Sequence, residues 1–322
     1  MRRNDLDYAR GIAILLILVG HANGMSDLET KLIYSFHVPL FFVISGMLMR
    51  YTSVVDKPWK LILSGWLKRI VIPSVIWEII LSVFYFVIKD IPIKQLVVNS
   101  VTLNFNLSVL WFIPCLLLAE VVWIIILKMH KSGYPSYINV VIAAVFLVGA
   151  MFTPVLFIKR MMVAEVFVIF GFIIEPVVEK LNKKSAVVYA TLLTVTAIWL
   201  ITTILNGRTD LSAGVFGNIV LYYVHSLLGS LMVVIVCKRL SDNLPLLSWI
   251  GKNSFGFLVT HVFVRHAIIA VEEMLFSGYW GGWLLAVPMI FIDFIAVWII
   301  VRIVPEVFGQ KRAKKGAEKN GK

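Results

Sequence analysis

The sequence predicts an all-α polytopic membrane bundle of about ten transmembrane helices, with both termini in the cytoplasm. Three observations predict it. Of 322 residues, 60% are hydrophobic and only 15% charged, whereas a soluble domain runs about 45–50% apolar and about 25% charged. Apolar runs of bilayer length recur along the whole chain. Basic residues fall unevenly between alternate loops. The composition excludes a disordered chain, a disulfide scaffold, a nucleic-acid-binding domain and almost any soluble enzyme. The net charge of +12, from 30 Lys and Arg against 18 Asp and Glu, reflects loops retained in the cytoplasm rather than a polyanionic partner. Cys115 and Cys237 lie in apolar runs and read as packing residues.

A bilayer core needs about 20 apolar helical residues. Such runs occupy residues 8–25, 33–50, 69–88, 109–127, 137–153, 161–178, 186–205, 215–237, 254–274 and 283–304. The first is not a cleavable signal peptide, because Asp7 and Arg10 sit at its start and Gly20-His21-Ala22-Asn23 is a poor cleavage site. With these spans, 22 of the 30 basic residues fall on the side that holds both termini and 6 on the other, which orients the chain. Lys159 and Arg160 are the weak point, because they fall on the outer side. Residues 51–68 are too polar to span and read as an interfacial helix. Residues 1–310 form one transmembrane domain with no linker and no repeat, and 311–322 a basic, disordered tail anchored to anionic lipid.

Ionisable residues at bilayer depth are costly and mark function or a buried pair. Arg10 and His21 are eleven residues apart. At 100° per residue this is about 20° past three full turns, so both share one helix face, about 16 Å apart along the axis. Asp7 lies one turn before Arg10 and is placed to pair with it. His37 returns on the second span to the outer half that holds His21. Ser45 and Gly46 permit close helix packing, and Pro39 frees a backbone carbonyl. His261 and Arg265 share a face of the ninth span. Glu78, Glu120, Glu165, His225 and Asp293 also fall within spans, where a buried hydrogen bond serves as well as chemistry. No metal-ligand spacing, phosphate loop or nucleophile elbow occurs.

Several segments taken in order are similar to the acyltransferase-3 family of integral-membrane acyltransferases. They are Asp7-Tyr8-Ala9-Arg10-Gly11 with His21, Phe36 to Gly46, Lys68-Arg69-Ile70-Val71-Ile72-Pro73, Leu110 to Pro114, and Ile250-Gly251-Lys252-Asn253-Ser254 with Thr260-His261. The form Phe-His-x-Pro-Leu-Phe-Phe resembles the fucose O-acetylase-like branch. The resemblance implies an O-acyltransferase of the bacterial inner (plasma) membrane. It would move an acyl group, usually acetyl from cytoplasmic acetyl-CoA, to a hydroxyl of a surface glycan or lipid-linked sugar. The family's Arg-x10-His pair carries over to Arg10 and His21, and its basic motif before a proline to Lys68 and Arg69, near the CoA phosphates. Asp7, His37, Trp111 and His261 are expected to touch substrate or support the pair. One departure is clear: the residues after Trp111 are apolar, and the next acid is Glu120, so a family glutamate role does not transfer.

Transfer to a hydroxyl needs a base, which a neutral His21 imidazole supplies. Arg10 cannot be a base and is expected to bind or orient. The expected partners are acyl-CoA, the acceptor and the bilayer, with no nucleic acid, no metal and no permanently bound cofactor. The competing expectation is a transporter or flippase of a glycan or acyl-modified intermediate, which polar residues at the midplane also suit. A membrane sensor or scaffold is the third expectation.

Overall fold

A computed structural model of the chain describes residues 3–101, 108–131, 135, 137–181, 185–240, 244–275 and 281–312. They form fourteen α-helices in chain order. The first, α1 (Asn4–Gly20), is followed by α2 (Asp27–Tyr34), whose start is a reciprocal cap between Ser26 and Glu29. Next come α3 (His37–Tyr51), α4 (Trp59–Trp66), α5 (Ile72–Lys89) and α6 (Ile93–Val101). The remainder are α7 (Phe112–Lys131), α8 (Tyr137–Phe152), α9 (Leu156–Glu179), α10 (Ala186–Asn206), α11 (Ile219–Arg239), α12 (Pro245–Lys252), α13 (Ser254–Leu275) and α14 (Trp283–Ile303).

Every expected span coincides with a helix, and the all-α bundle is as the sequence predicts. Among the described residues, eight helical stretches are long and apolar enough to cross a membrane. The other two expected spans are shorter: α1 has 17 residues and α8 has 16, or about 26 and 24 Å at 1.5 Å per residue. Several boundaries differ from expectation. The segment expected as a separate interfacial helix instead runs from Trp59 through a π-helical turn (Leu67–Val71) into α5, one stretch of 31 residues. Helix α9 begins at Leu156, so Lys159 and Arg160 belong to its first turns rather than to an outer loop. Of the expected disordered tail, 311–322, residues 313–322 lie outside the described residues.

Close packing explains the order of the bundle. Helices α3 and α9 meet at reciprocal glycines: a Cβ at Gly46 would strike the Val168 carbonyl, and one at Gly171 the Val43 carbonyl. Small residues let membrane helices gain dispersion contacts at short range. Helix α1 is held in the same way against α12, where Gly11 faces the Leu247 carbonyl and Gly251 faces the Asp7 carbonyl. It also touches α3, α11, α13 and α14. At the near end of the bundle, Arg3 is 8% exposed and pairs with Asp5 (2.8 Å), Glu175 (2.8 Å) and Glu179 (2.7 Å), while Lys238 reaches Glu179 (2.8 Å). The start of α1 is thereby tied to the ends of α9 and α11. Outward faces are apolar: Val187, Leu193 and Leu205 of α10 are 70%, 74% and 71% exposed, as a lipid-facing helix requires.

Pro39 shows how a missing donor is used. It sits in the first turn of α3, and its lack of an N–H leaves the Ser35 carbonyl open. That oxygen accepts from Ser226 Oγ (2.5 Å) and from His225 Nδ1 (3.2 Å), and His225 Nε2 accepts from Asn206 Nδ2 (3.1 Å). His225 is thus a structural link between the α2–α3 junction, α10 and α11. Asp293 accepts from Thr260 Oγ1 (2.6 Å), and Glu78 accepts from Ser100 Oγ (3.0 Å) and Ser108 Oγ (2.6 Å).

The glycine contacts give a stability test. Gly171→Ala is expected to cost about 1–3 kcal/mol, seen as a lower thermal midpoint in detergent. Gly65→Ala, where a Cβ meets nothing within 4 Å, is expected to be neutral or to stabilise by up to about 1 kcal/mol.

Candidate active site

A cavity of about 970 Å³ runs inside the bundle, bounded by α1, α3, α5, α7, α9 and α13 and by the segments 210–213 and 308–310. Arg10, Ile14, Ile17 and His21 all line it. These four positions are spaced 4, 3 and 4 residues apart, the spacing of one helix face, so α1 turns a continuous stripe to the cavity. Two constraints set that rotation: the glycine contacts with α12, and the burial of Leu6, Tyr8, Ala9, Ala13 and Leu18 on its other sides.

The near end of the cavity is basic. Arg69, from the π-helical turn, and Lys252, from the α12–α13 junction, stand at its rim with Asn253 and Gln310. Gln310 Nε2 donates to Asn253 Oδ1 (2.7 Å). The turn Pro305–Phe308 that carries Gln310 is latched to α5: Trp77 Nε1 donates to the Val307 carbonyl (2.9 Å), and Trp77 stacks on Phe308 (5.6 Å, 12°). A second cavity of about 790 Å³ adjoins beneath α4, lined by Lys57 and Lys68 among apolar side chains. Both cavities share Arg10, Ser45, Arg69 and Glu120 as walls. Glu120 is buried, accepts from Ser45 Oγ and from Trp66, and feels the charge of Arg10. Arg10 and Glu120 thus both stand where the two spaces meet.

The far end gathers imidazoles. His21 caps α1 and is exposed, and its exposed surface is cavity wall. Neither of its ring nitrogens has a hydrogen-bond partner among the described residues, and its ring lies 4.9 Å from that of His261. His261 Nδ1 donates to the Phe257 carbonyl (3.1 Å), which leaves Nε2 as an acceptor. His37 Nδ1 donates to the Ile33 carbonyl (2.7 Å), and its ring packs edge-on to Tyr34 (4.8 Å). Arg265 Nε donates to the His21 carbonyl (2.9 Å), fixing the end of α1.

Of the residues singled out in the sequence, Arg10, His21, His37, Arg69, Trp111 and His261 line the main cavity. Lys68 does not; it lines the adjoining one. Asp7 is buried at the α1–α12 crossing, away from both. The structure adds Arg160, Asp210 and Tyr34, which the sequence reading passed over. Arg160 is 2% exposed, donates to the Ser212 carbonyl and lies over Trp111 (4.9 Å). Its signal in the sequence was an arginine four residues into an apolar run, too costly there without a role. Asp210 had a weaker signal, the acid-x-Ser turn Asp210-Leu211-Ser212 among glycines.

Fold and cavity together define a polytopic membrane protein with a polar passage between a basic end and a histidine-lined end. The family model for an acyltransferase domain, acyltransferase-3, matches residues 3–302. The chain belongs to that family and is a membrane acyltransferase. Neither the curated proteins nor the solved structures give a match.

Glu120 offers a direct check on the junction. Glu120→Leu leaves Ser45, Trp66 and the Arg10 charge without their acceptor and is expected to cost about 3–5 kcal/mol. Glu120→Gln keeps an acceptor and is expected to cost less, with both read as thermal midpoints in detergent. Equal losses contradict the arrangement.

Proposed function

We propose that this acyltransferase moves an acetyl group from acyl-CoA, bound at the basic end, to a hydroxyl of a glycan or lipid-linked sugar that enters from the histidine-lined end. The reading places the chain in the plasma membrane, where acetyl-CoA and a surface acceptor lie on opposite sides. One observation carries it. Arg69 and His21 stand in the wall of one cavity, so a donor anchored by its phosphates and an acceptor on the other side have a common meeting place.

The chemistry follows from the groups present. Arg69, Lys252 and, in the adjoining space, Lys68 attract the CoA phosphates. The pantetheine arm extends past Arg10 along the apolar stripe of Ile14 and Ile17 and brings the thioester to His21. His21 Nε2 or Nδ1, both open, takes the proton of the acceptor hydroxyl as its oxygen attacks the thioester carbonyl. The C–O bond forms, the C–S bond breaks, and the imidazolium returns the proton to the leaving thiolate. The Arg265 guanidinium, bonded to the His21 carbonyl, lies beside the place where the oxyanion develops, and positive charge there favours the transition state; His261, 4.9 Å from His21 between ring centres, helps to position the base. Arg10, in the same wall as Glu120, orients the donor rather than moves a proton.

His21→Ala is expected to reduce acetyl transfer from labelled acetyl-CoA by about 10²–10⁴-fold, with the thermal midpoint of the purified protein unchanged. Full activity in that variant contradicts the assignment. Arg10→Lys keeps the charge and loses the planar fork, so it is expected to raise KM for acetyl-CoA; unchanged kinetics contradict a bidentate role. A purified protein that moves glycan but never consumes acetyl-CoA would be a transporter.

A further inference from the structure

The far mouth holds more positive charge than the transfer chemistry uses. Arg160 and Arg265 line the cavity, and Arg208 lies over the ring of Tyr34 (5.7 Å), itself a wall residue. The wall acid that these cations share is Asp210; Glu120, the cavity's other wall acid, stands at the junction with the adjoining space beside Arg10. The charge of Asp210 acts on both His21 and Arg160, so the groups form one electrostatic unit. Other acids nearby are engaged elsewhere: Asp27 pairs with Lys31 (2.5 Å), and Glu29 accepts from Trp283 Nε1 (2.6 Å) and Ser26. Asp210 itself spends Oδ1 on Ser212 N (2.8 Å), Ser212 Oγ (2.6 Å) and Ala213 N (3.2 Å). That oxygen fixes the segment whose Ser212 carbonyl receives Arg160.

A guanidinium at 2% exposure is costly unless its charge is matched. Asp210 offsets one positive charge of the group, and the surplus faces the cavity. Arg265 adds a second constraint. Its Nε is committed to the His21 carbonyl, so the catalytic imidazole's own backbone carries a cation beside it. An anion received there would be held within one residue's reach of the proposed base.

We propose that the far mouth is an anion subsite, in which Arg265 and Arg160 receive a phosphate or carboxylate carried by the acceptor while its hydroxyl lies at His21. This rests on the reading that the acceptor enters from this end, and it narrows the acceptor to a hydroxyl-bearing anion. A sugar phosphate of a lipid carrier and an acidic sugar of a glycan share that chemistry.

The test is binding to the full-length protein in detergent, followed by thermal shift with glucose 1-phosphate, glucuronate and glucose. At least one of the two anions is expected to bind about tenfold tighter than glucose, as charge-assisted hydrogen bonds allow. Preference for the phosphate assigns a carrier-linked acceptor, and preference for the carboxylate an acidic glycan. Arg265→Gln is expected to erase the preference, and Asp210→Asn, which keeps the Oδ1 acceptor and removes the opposing charge, to strengthen it. Equal binding of all three sugars, an unchanged preference in Arg265→Gln, or weaker anion binding in a folded Asp210→Asn overturns the proposal. Release of free CoA thiol from acetyl-CoA is measured alongside. Anion binding without thiol release would keep the subsite and overturn the transfer reading, while thiol release with no anion preference would do the reverse.

Discussion

The rotation of α1 is the constraint from which the rest follows. Gly11 and Gly251 let α1 and α12 cross at backbone distance, and any side chain there would push the two apart. With that crossing fixed, Arg10, Ile14, Ile17 and His21 face inward together. The ion pairs of Arg3 with Glu175 and Glu179 anchor the start of α1, and the bond from Arg265 to the His21 carbonyl anchors its end. The helix is held at both ends and at its crossing, which is what a short span carrying an arginine at membrane depth needs.

The two ends of the cavity are built differently. The near end is framed by packing and latching, through the stacked Trp77 and Phe308 and the bond between Gln310 and Asn253. Its charges come from the π-helical turn at Leu67–Val71 and from Lys252 at the end of α12. A π-turn inserts an extra residue and re-aims the side chains that follow, a device common at functional sites. It turns Arg69 to the main cavity, while Lys68, its neighbour, lines the adjoining space. The far end is polar and open, and its loop, bridged between Asp210 and Val215, uses positive-φ glycines at positions 214 and 217.

Much of this was legible in the sequence. The helical class and the ten segments follow from apolar run length, because lipid forces backbone pairing within each span. The shared face of Arg10 and His21 follows from eleven residues at 100° each. Gly46 as a packing residue was legible too, since only small side chains permit such an approach. The limits have physical causes. The split of the second span into α2 and α3 depends on Ser226 and His225 satisfying the Ser35 carbonyl, contacts almost two hundred residues away in sequence. Arg160 looked like a loop charge because hydropathy places a helix start where polarity ends, whereas here the helix begins earlier and buries the cation against Trp111. Asp7, one turn from Arg10, reads as its partner on spacing alone. The structure buries it where α12 crosses α1, a setting fixed by packing between helices far apart in sequence, which spacing does not reveal.

The account stands on a continuous passage from Arg69 to His21, and chemical access to its middle tests that most directly. Ile17 lies on the stripe between the two ends. With Cys115 and Cys237, both buried, replaced by Ala, the single thiol of Ile17→Cys can be followed with a water-soluble methanethiosulfonate reagent on protein in nanodiscs. The account predicts that this thiol is labelled, and that acetyl-CoA slows the labelling. A thiol inert to the reagent, or one labelled at the same rate with saturating acetyl-CoA, would contradict it.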